Sequence, residues 1–98
     1  MEQYTVVVDG SVRTKEQLFA RFTDTVFLGE SGISGWDWFY DLLFNRLYAS
    51  DISVAVVNQD LTGLPEVEQA NYAEALASIQ VDAPGKLWLV KQGGGAAN

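Results

Sequence analysis

The sequence predicts a single α/β domain over residues 1–91, built as a three-stranded parallel sheet packed with three to four helices. Strand-like apolar runs begin near Tyr4, Ile52 and Leu87. Helix-length segments of amphipathic spacing lie between these runs, and such crossovers join parallel strands with right-handed connections. With 98 residues, 48% of them hydrophobic, the chain can bury one core without disulfides or metals.

The first strand and first helix have clear local signals. Residues 4–8 are rich in valine, and an Asp-Gly turn at 9–10 ends the run. Thr14 and Gln17 form a capping-box pattern, in which the hydroxyl and the amide can satisfy free backbone amides at a helix start. Inward positions then follow at helical spacing, namely Leu18, Phe19, Phe22 and Val26. Residues 28–35 contain three glycines and are predicted to be an irregular but ordered connection.

A second helix is predicted over residues 36–48, with Ser34 or Gly35 as its cap. Its buried stripe is expected to consist of Phe39, Leu42, Leu43 and Leu47. Residues 52–57 form a nearly continuous apolar run. Continuity rather than alternation predicts a strand covered on both faces.

The last third of the chain is predicted to be loop, helix, turn and strand. After a loop at 58–64, Pro65 is expected at the first position of a third helix that runs to about residue 80. Its inward residues are Tyr72, Ala75, Leu76 and Ile79. A turn at 82–85 leads into a strand at 87–90. The Gly/Ala-rich residues 92–98 are expected to be a disordered tail outside the domain.

The charge of the chain is strongly acidic and unevenly distributed. The formal net charge is -7, and Arg46 is the only cation between Phe22 and Gly85, against ten acidic residues. Such a field repels nucleic acid and attracts basic proteins. The alternative is that the charge serves solubility alone.

Several function classes are disfavoured by what the sequence lacks. It has no cysteine and no histidine, the commonest nucleophiles, general bases and transition-metal ligands. Its glycine clusters match no phosphate-binding loop. We therefore expect a protein that is not an enzyme and binds no cofactor or metal. The start of the chain lacks a basic signal region and no apolar run approaches about 20 residues, so we expect a cytoplasmic protein that binds no membrane.

The second helix carries the candidate site. Asp37 and Asp41 stand four residues apart, so both carboxylates are expected on one face, opposite the leucine stripe. Trp38, Tyr40 and Phe44 cannot all be buried as well, because a helix of this kind has one buried side. Exposed rings beside carboxylates are typical of a protein interface. The alternatives are a helix start buried nearly all round, or a catalytic carboxylate pair, which would need a concave cleft.

The order of elements and the acidic helix resemble the barstar family, intracellular inhibitors of barnase-type ribonucleases. The resemblance covers about residues 5–90, and its most specific part is Leu-Gly-Glu at 28–30 followed by Trp-Asp-Trp-Phe-Tyr-Asp-Leu-Leu at 36–43. These segments are similar to the family's Leu-Pro-Glu and Leu-Asp-x-Leu-Trp-Asp-x-Leu. The resemblance implies that Asp37 and Asp41 enter a ribonuclease active site and replace substrate phosphates as partners for arginine and lysine.

The chain also departs from the family pattern. The family's Tyr-Tyr-Gly-x-Asn is replaced by Ser-Gly-Ile-Ser-Gly at 31–35, so the target surface is expected to differ. Tyr40 stands where the family has a tryptophan. The family's short third helix has only residues 58–64 available to it, and no residue is assigned to the family glutamate near the end of the last helix.

We therefore expect a barstar-like inhibitor that is monomeric when free and binds a basic ribonuclease or ribonuclease-like toxin without direct contact to nucleic acid. The predicted partner-binding residues are Asp37, Asp41, Tyr40, Trp38, Phe44 and Glu30. The alternative is an acidic, phosphate-mimicking protein, encoded by a phage or plasmid, that blocks a basic nucleic-acid-binding groove of another complex. In that case Glu66, Glu68 and Glu74 would matter as much as the second helix.

Overall fold

The computed structural model describes residues 2–29 and 32–90. Within that part of the chain, the structure is a three-stranded parallel sheet with three helices, as predicted. The elements are β1 (Glu2–Val8), α1 (Lys15–Val26), α2 (Trp36–Ala49), β2 (Ile52–Asn58), α3 (Glu66–Asp82) and β3 (Leu87–Leu89). Glu30 and the predicted disordered tail at 92–98 lie outside the described residues.

The sheet has the order β1-β2-β3, and β2 pairs in parallel with both neighbours. Val54 in β2 lies opposite Tyr4 on one side and Leu87 on the other. The hydrogen bonding continues one residue beyond β3, because the Val90 amide donates to the Val56 carbonyl at 2.9 Å. Among the described residues, no helix combines the length and apolar character that crossing a bilayer requires.

The helices pack against a single face of this sheet. The strand residues that join the buried core occupy alternate positions in register, namely Val6, Val8, Ile52, Val54, Val56 and Leu87. On the opposite face, Thr5 and Trp88 are exposed and Val57 is half-buried. The core therefore lies entirely between the helices and one side of the sheet.

β2 is buried on both faces over Ile52–Val56, as predicted. The helices nevertheless lie on one side of the sheet only, and we call the side without helices the uncovered face. Crossovers of one hand between strands in the order 1-2-3 place every connecting helix on the same side. Ser53 and Ala55 belong to the uncovered face, yet each is only 3% exposed. Both side chains are small, and Ala55 lies between the longer side chains of Thr5 and Trp88 in the sheet register.

A cluster of five aromatic rings joins the three helices. It comprises Phe19 and Phe22 from α1, Trp36 and Phe39 from α2, and Tyr72 from α3. Phe39 lies at its centre, stacked on Phe19 at 4.7 Å and edge-on to Phe22 at 5.1 Å between ring centroids. Such pairs add about 0.5–1.5 kcal/mol each beyond the burial of area. The cluster thereby fixes how α2 is rotated about its own axis.

Helix ends follow the sequence closely, with small differences. The Thr14 hydroxyl caps α1 by accepting from the Gln17 amide at 3.1 Å. The Gln17 side chain accepts in return from the Arg13 amide at 2.7 Å, one residue before the cap. Pro65 is the N-cap of α3 rather than its first helical residue, and Asp82, predicted in a turn, is the last residue of that helix.

Arg46 holds the C-terminal end of α1 against α2. Its Nε donates to the carbonyls of Val26 at 2.8 Å and Phe27 at 3.2 Å, and its Nη1 donates to the Ser50 hydroxyl at 2.6 Å. Phe27 caps α1 in the left-handed region, with φ 55°. The last carbonyls of a helix have no partner within the helix, so the guanidinium satisfies groups that would otherwise need water.

Replacing Arg46 by alanine should destabilise the fold by about 1–3 kcal/mol, because carbonyls at the half-buried junction lose their donor. Arg13→Ala is the matched control, since it removes the same charge from an exposed side chain and should change stability by at most about 0.5 kcal/mol. Urea unfolding followed by circular dichroism measures both. Equal destabilisation by the two changes would contradict the role assigned to Arg46.

Candidate protein-interaction surface on the second helix

The outward face of α2 is determined by what the helix buries. Phe39, Leu43 and Leu47 are each 0% exposed, at intervals of four residues. Leu42, predicted to belong to this stripe, is only half-buried and packs at the margin of the core. The buried stripe is therefore narrower than predicted, which leaves more of the helix circumference to solvent.

Asp37 and Asp41 are both exposed, as the sequence predicted. Within residues 2–29 and 32–90, neither carboxylate takes part in a hydrogen bond or an ion pair. Arg46, the cation of α2, is directed to the end of α1 instead. The alternative of a helix start buried nearly all round is thus excluded, and both anions are available to a partner.

Three rings run along α2 at intervals of four residues. Tyr40 stacks on Phe44 with centroids 6.0 Å apart and planes 5° apart, and Phe44 stacks on Tyr48 at 5.5 Å and 27°. We call these three residues the aromatic ladder. Tyr40 and Phe44 are half-buried, whereas Tyr48 is 75% exposed. Tyr48 was not among the predicted site residues, although its spacing from Phe44 was a signal for it.

The carboxylates and the ladder share one side of the helix. At about 100° per residue, Asp37, Asp41, Phe44 and Tyr48 fall within a sector of roughly 60°. Trp38 is 40% exposed but lies outside that sector, beyond Asp41. In the described part of the chain, Trp38 has no ring partner. The structure therefore brings the predicted residues of α2 to one side of the helix, with Trp38 three residues from Asp41 but outside the row of stacked rings.

Tyr40 connects the site to α3. Its hydroxyl donates to the Asp82 carboxylate, a contact between residues far apart in the sequence. The hydrogen bond to Asp82 is the main cause that raises the pKa of Tyr40, with smaller contributions from burial and from the charges of Asp82 and Asp41. Asp82 is thus a candidate site residue that the sequence analysis did not assign.

A shallow groove between α2 and α3 adds further carboxylates. Asp37 and Tyr40 line it on the α2 side, and Glu74 and Ser78 line it on the α3 side. Glu74 also lines a neighbouring depression that reaches Asp82. The acidic surface therefore spans two helices rather than one.

Glu68, at the start of α3, accepts from the Trp36 indole at 2.9 Å and from the Asn71 amide at 3.3 Å. The pKa of Glu68 is lowered, mainly because its carboxylate accepts the indole hydrogen bond. Burial acts in the opposite direction, and the hydrogen bond from Asn71 adds a smaller lowering. The Glu68 carboxylate thus joins α2 to α3, whereas the carboxylates of Asp37 and Asp41 on α2 make no such contact in the part of the chain that the structure describes.

The geometry limits what the site can do chemically. Asp37 and Asp41 project from adjacent turns of one convex helix, whereas acid-base catalysis by a carboxylate pair needs a substrate between the groups. Among the described residues, no three acidic side chains are grouped closely enough to hold a metal ion. What remains is a rigid acidic and aromatic surface suited to recognition by a cationic partner.

Comparison of the chain with models of protein families, with curated proteins and with solved structures finds no significant match. The resemblance to the barstar family therefore depends on the motifs at 28–30 and 36–43 and on the order of elements.

Replacing Trp36 by phenylalanine should raise the pKa of Glu68 toward that of an ordinary carboxyl group, because it removes the donor most responsible for the lowering. A carbon-13 NMR titration of the Glu68 carboxyl measures this. Because the folded-state pKa is lowered, the bond stabilises the fold above the pKa of the unfolded chain, and that contribution disappears as the pH falls through the folded value.

Trp38→Phe is the control for this titration, since that indole has no hydrogen bond among the described residues. We expect the pKa of Glu68 to stay at its wild-type value in this variant. An unchanged Glu68 titration in Trp36→Phe would show that the indole is not the cause of the lowering.

Proposed function

We propose that this protein is a barstar-like inhibitor that binds a basic ribonuclease or ribonuclease-like toxin and covers its active site with α2. The observation that supports this most is the exposed pair Asp37 and Asp41, free of cations among the described residues, beside solvent-facing rings. The barstar resemblance assigns the same two aspartates to the contact. The convex shape of the helix favours inhibition over catalysis.

The chemistry of such a contact is straightforward. A ribonuclease binds phosphates through arginine and lysine side chains in a cleft, and a convex helix bearing two carboxylates can present anions at phosphate positions. Charge-assisted hydrogen bonds from those cations are shorter and stronger than neutral ones. The net charge of -7 would also accelerate the encounter with a basic partner.

The free protein is prepared for this contact in two respects. Asp37 and Asp41 repel each other by a few tenths of a kcal/mol, about the scale for like charges one turn apart, and an approaching cation relieves that repulsion. The helix that carries them is held by buried Phe39, Leu43 and Leu47, so little backbone order has to be gained on binding.

Asp41→Ala should weaken binding to a barnase-type ribonuclease by about 2–5 kcal/mol, the range for losing one partner of a buried charge pair, for which barnase–barstar is itself the reference example. Asp37→Ala should act in the same direction. Inhibition of RNA cleavage and isothermal titration calorimetry give the dissociation constants. Asp24→Ala, an exposed aspartate on α1, is the matched control and should leave affinity nearly unchanged.

Unchanged dissociation constants for both α2 variants would reject the proposal. So would a failure of the wild-type chain to inhibit any ribonuclease in a panel of basic barnase-type enzymes. Equal losses for Asp24→Ala and Asp41→Ala would mean that overall charge, not the α2 surface, governs binding.

A second candidate function is supported by the carboxylates of α3. Glu74 lines the same groove as Asp37, and Asp82 is bonded to Tyr40, so acidic groups are spread over two helices. A protein that imitates nucleic-acid phosphates to block a basic groove of another complex would use such a spread. We propose this as the alternative to the inhibitor.

Two double variants of equal charge change separate these functions. A pull-down from the native host, read by mass spectrometry, supplies the partner. The inhibitor proposal expects Asp37→Asn/Asp41→Asn to abolish most of the affinity and Glu66→Gln/Glu74→Gln to remove little. The phosphate-mimic proposal expects comparable losses for the two double variants.

A further inference from the structure

We propose that the aromatic ladder is a binding site for arginine side chains, so that the cations the partner places on α2 are arginines rather than lysines. This inference rests on the proposed function in that it takes α2 as the contact surface. It assigns a separate role to Tyr40, Phe44 and Tyr48, and its test requires no ribonuclease.

The ladder is a rigid stacking surface. The Tyr40 hydroxyl is bonded to Asp82 on α3, and the Tyr40 and Phe44 rings pack against the core. Phe44 is then enclosed between Tyr40 and Tyr48, with ring planes 5° and 27° from parallel. The outermost ring, Tyr48, is therefore held in place while it remains 75% exposed.

Tyr48 has little to contribute to the core at that exposure. The buried stripe of α2 is complete without it, and the helix ends at Ala49, one residue later. An exposed ring fixed on a rigid platform is instead suited to recognition, because large aromatic contact area then costs little conformational entropy on binding.

The carboxylates on the same side of α2 favour a cation as the group that binds the aromatic ladder. Phe44 is stacked on both sides, so the ring with a free face is Tyr48, which lies about two helical turns from Asp41 on the same side of α2. One guanidinium group of a partner segment can lie flat on Tyr48 while a neighbouring cation of the same segment pairs with Asp41. The compact ammonium of lysine can pair with the carboxylate and is also attracted to a ring face, but it is more strongly hydrated and has no plane to stack, so it gains less from the ring.

Nucleic-acid bases also stack on exposed aromatic rings. Here, however, the net charge of -7 and the adjacent Asp37 and Asp41 oppose the approach of phosphates. Charge complementarity therefore favours a cationic planar group over a base, and arginine is the protein side chain that has both properties.

Nitrogen-15 NMR titrations of the full chain with hexaarginine and with hexalysine test the proposal, because the two peptides carry equal charge. We expect hexaarginine to bind about two- to five-fold more tightly, the factor for a cation–aromatic contact at an exposed site. The largest shifts should lie on residues 37–48. Tyr48→Ala should remove most of the preference, because it lowers the affinity for hexaarginine more than the affinity for hexalysine.

Two further variants make the comparison specific. Asp41→Asn should weaken both peptides, because both use the carboxylate. Phe27→Gly removes a ring that is 69% exposed but lies outside the ladder, at a φ of 55° that glycine adopts readily, so it should alter neither affinity. Because Tyr48 is highly exposed, we expect the Tyr48→Ala variant to fold normally. Circular dichroism checks that it does.

Equal affinity of the wild-type chain for the two peptides would overturn the proposal, as would a preference for arginine that survives Tyr48→Ala. Binding of single-stranded oligothymidylate to residues 37–48 would overturn it too, in favour of base stacking. A preference for arginine together with no ribonuclease inhibition would reject the inhibitor while leaving the ladder intact. Inhibition of a ribonuclease without a preference for arginine would reject only the proposal that the aromatic ladder binds arginine.

Discussion

The packing of Phe39 against the rings of α1 is the constraint on which the α2 surface depends. With Phe19 stacked on it at 4.7 Å and Phe22 edge-on at 5.1 Å, α2 cannot rotate without breaking the centre of the core. Protein interiors are packed at the density of organic crystals, so such a rotation has no low-energy alternative. Because Phe39 points inward, Asp37 and Asp41 have to point outward.

The negative charge of the α2 surface is not neutralised by Arg46, the single cation of that helix. Arg46 could have reduced the repulsion between the aspartates had it stood one turn from Asp41. It lies instead on the flank toward α1, where it satisfies the carbonyls of Val26 and Phe27. The fold thus gains a helix-end contact and leaves the aspartates without a counter-charge from α2.

The features that sequence reasoning predicted correctly depend on local periodicity. The span of α2, the exposed side of Asp37 and Asp41, and the cap at Thr14 all follow from spacing within a few residues. The features that it missed depend on how elements far apart in the sequence pack against one another. The bond between Tyr40 and Asp82 joins residues 42 positions apart, and no periodic pattern carries that information. The burial of β2 on both faces was predicted correctly from its continuous apolar run, but such a run does not reveal that all the crossovers lie on one side of the sheet.

The central claim, that α2 is the contact surface, is tested most directly by mapping the chain in complex with a basic barnase-type ribonuclease whose catalytic activity has been removed by mutation. Nitrogen-15 chemical-shift changes on binding report each backbone amide. The account predicts the largest changes along α2 and at the facing residues of α3, with β1 little affected. Changes concentrated on the uncovered face of the sheet, around Thr5, Val57 and Trp88, with α2 unaffected, would contradict it.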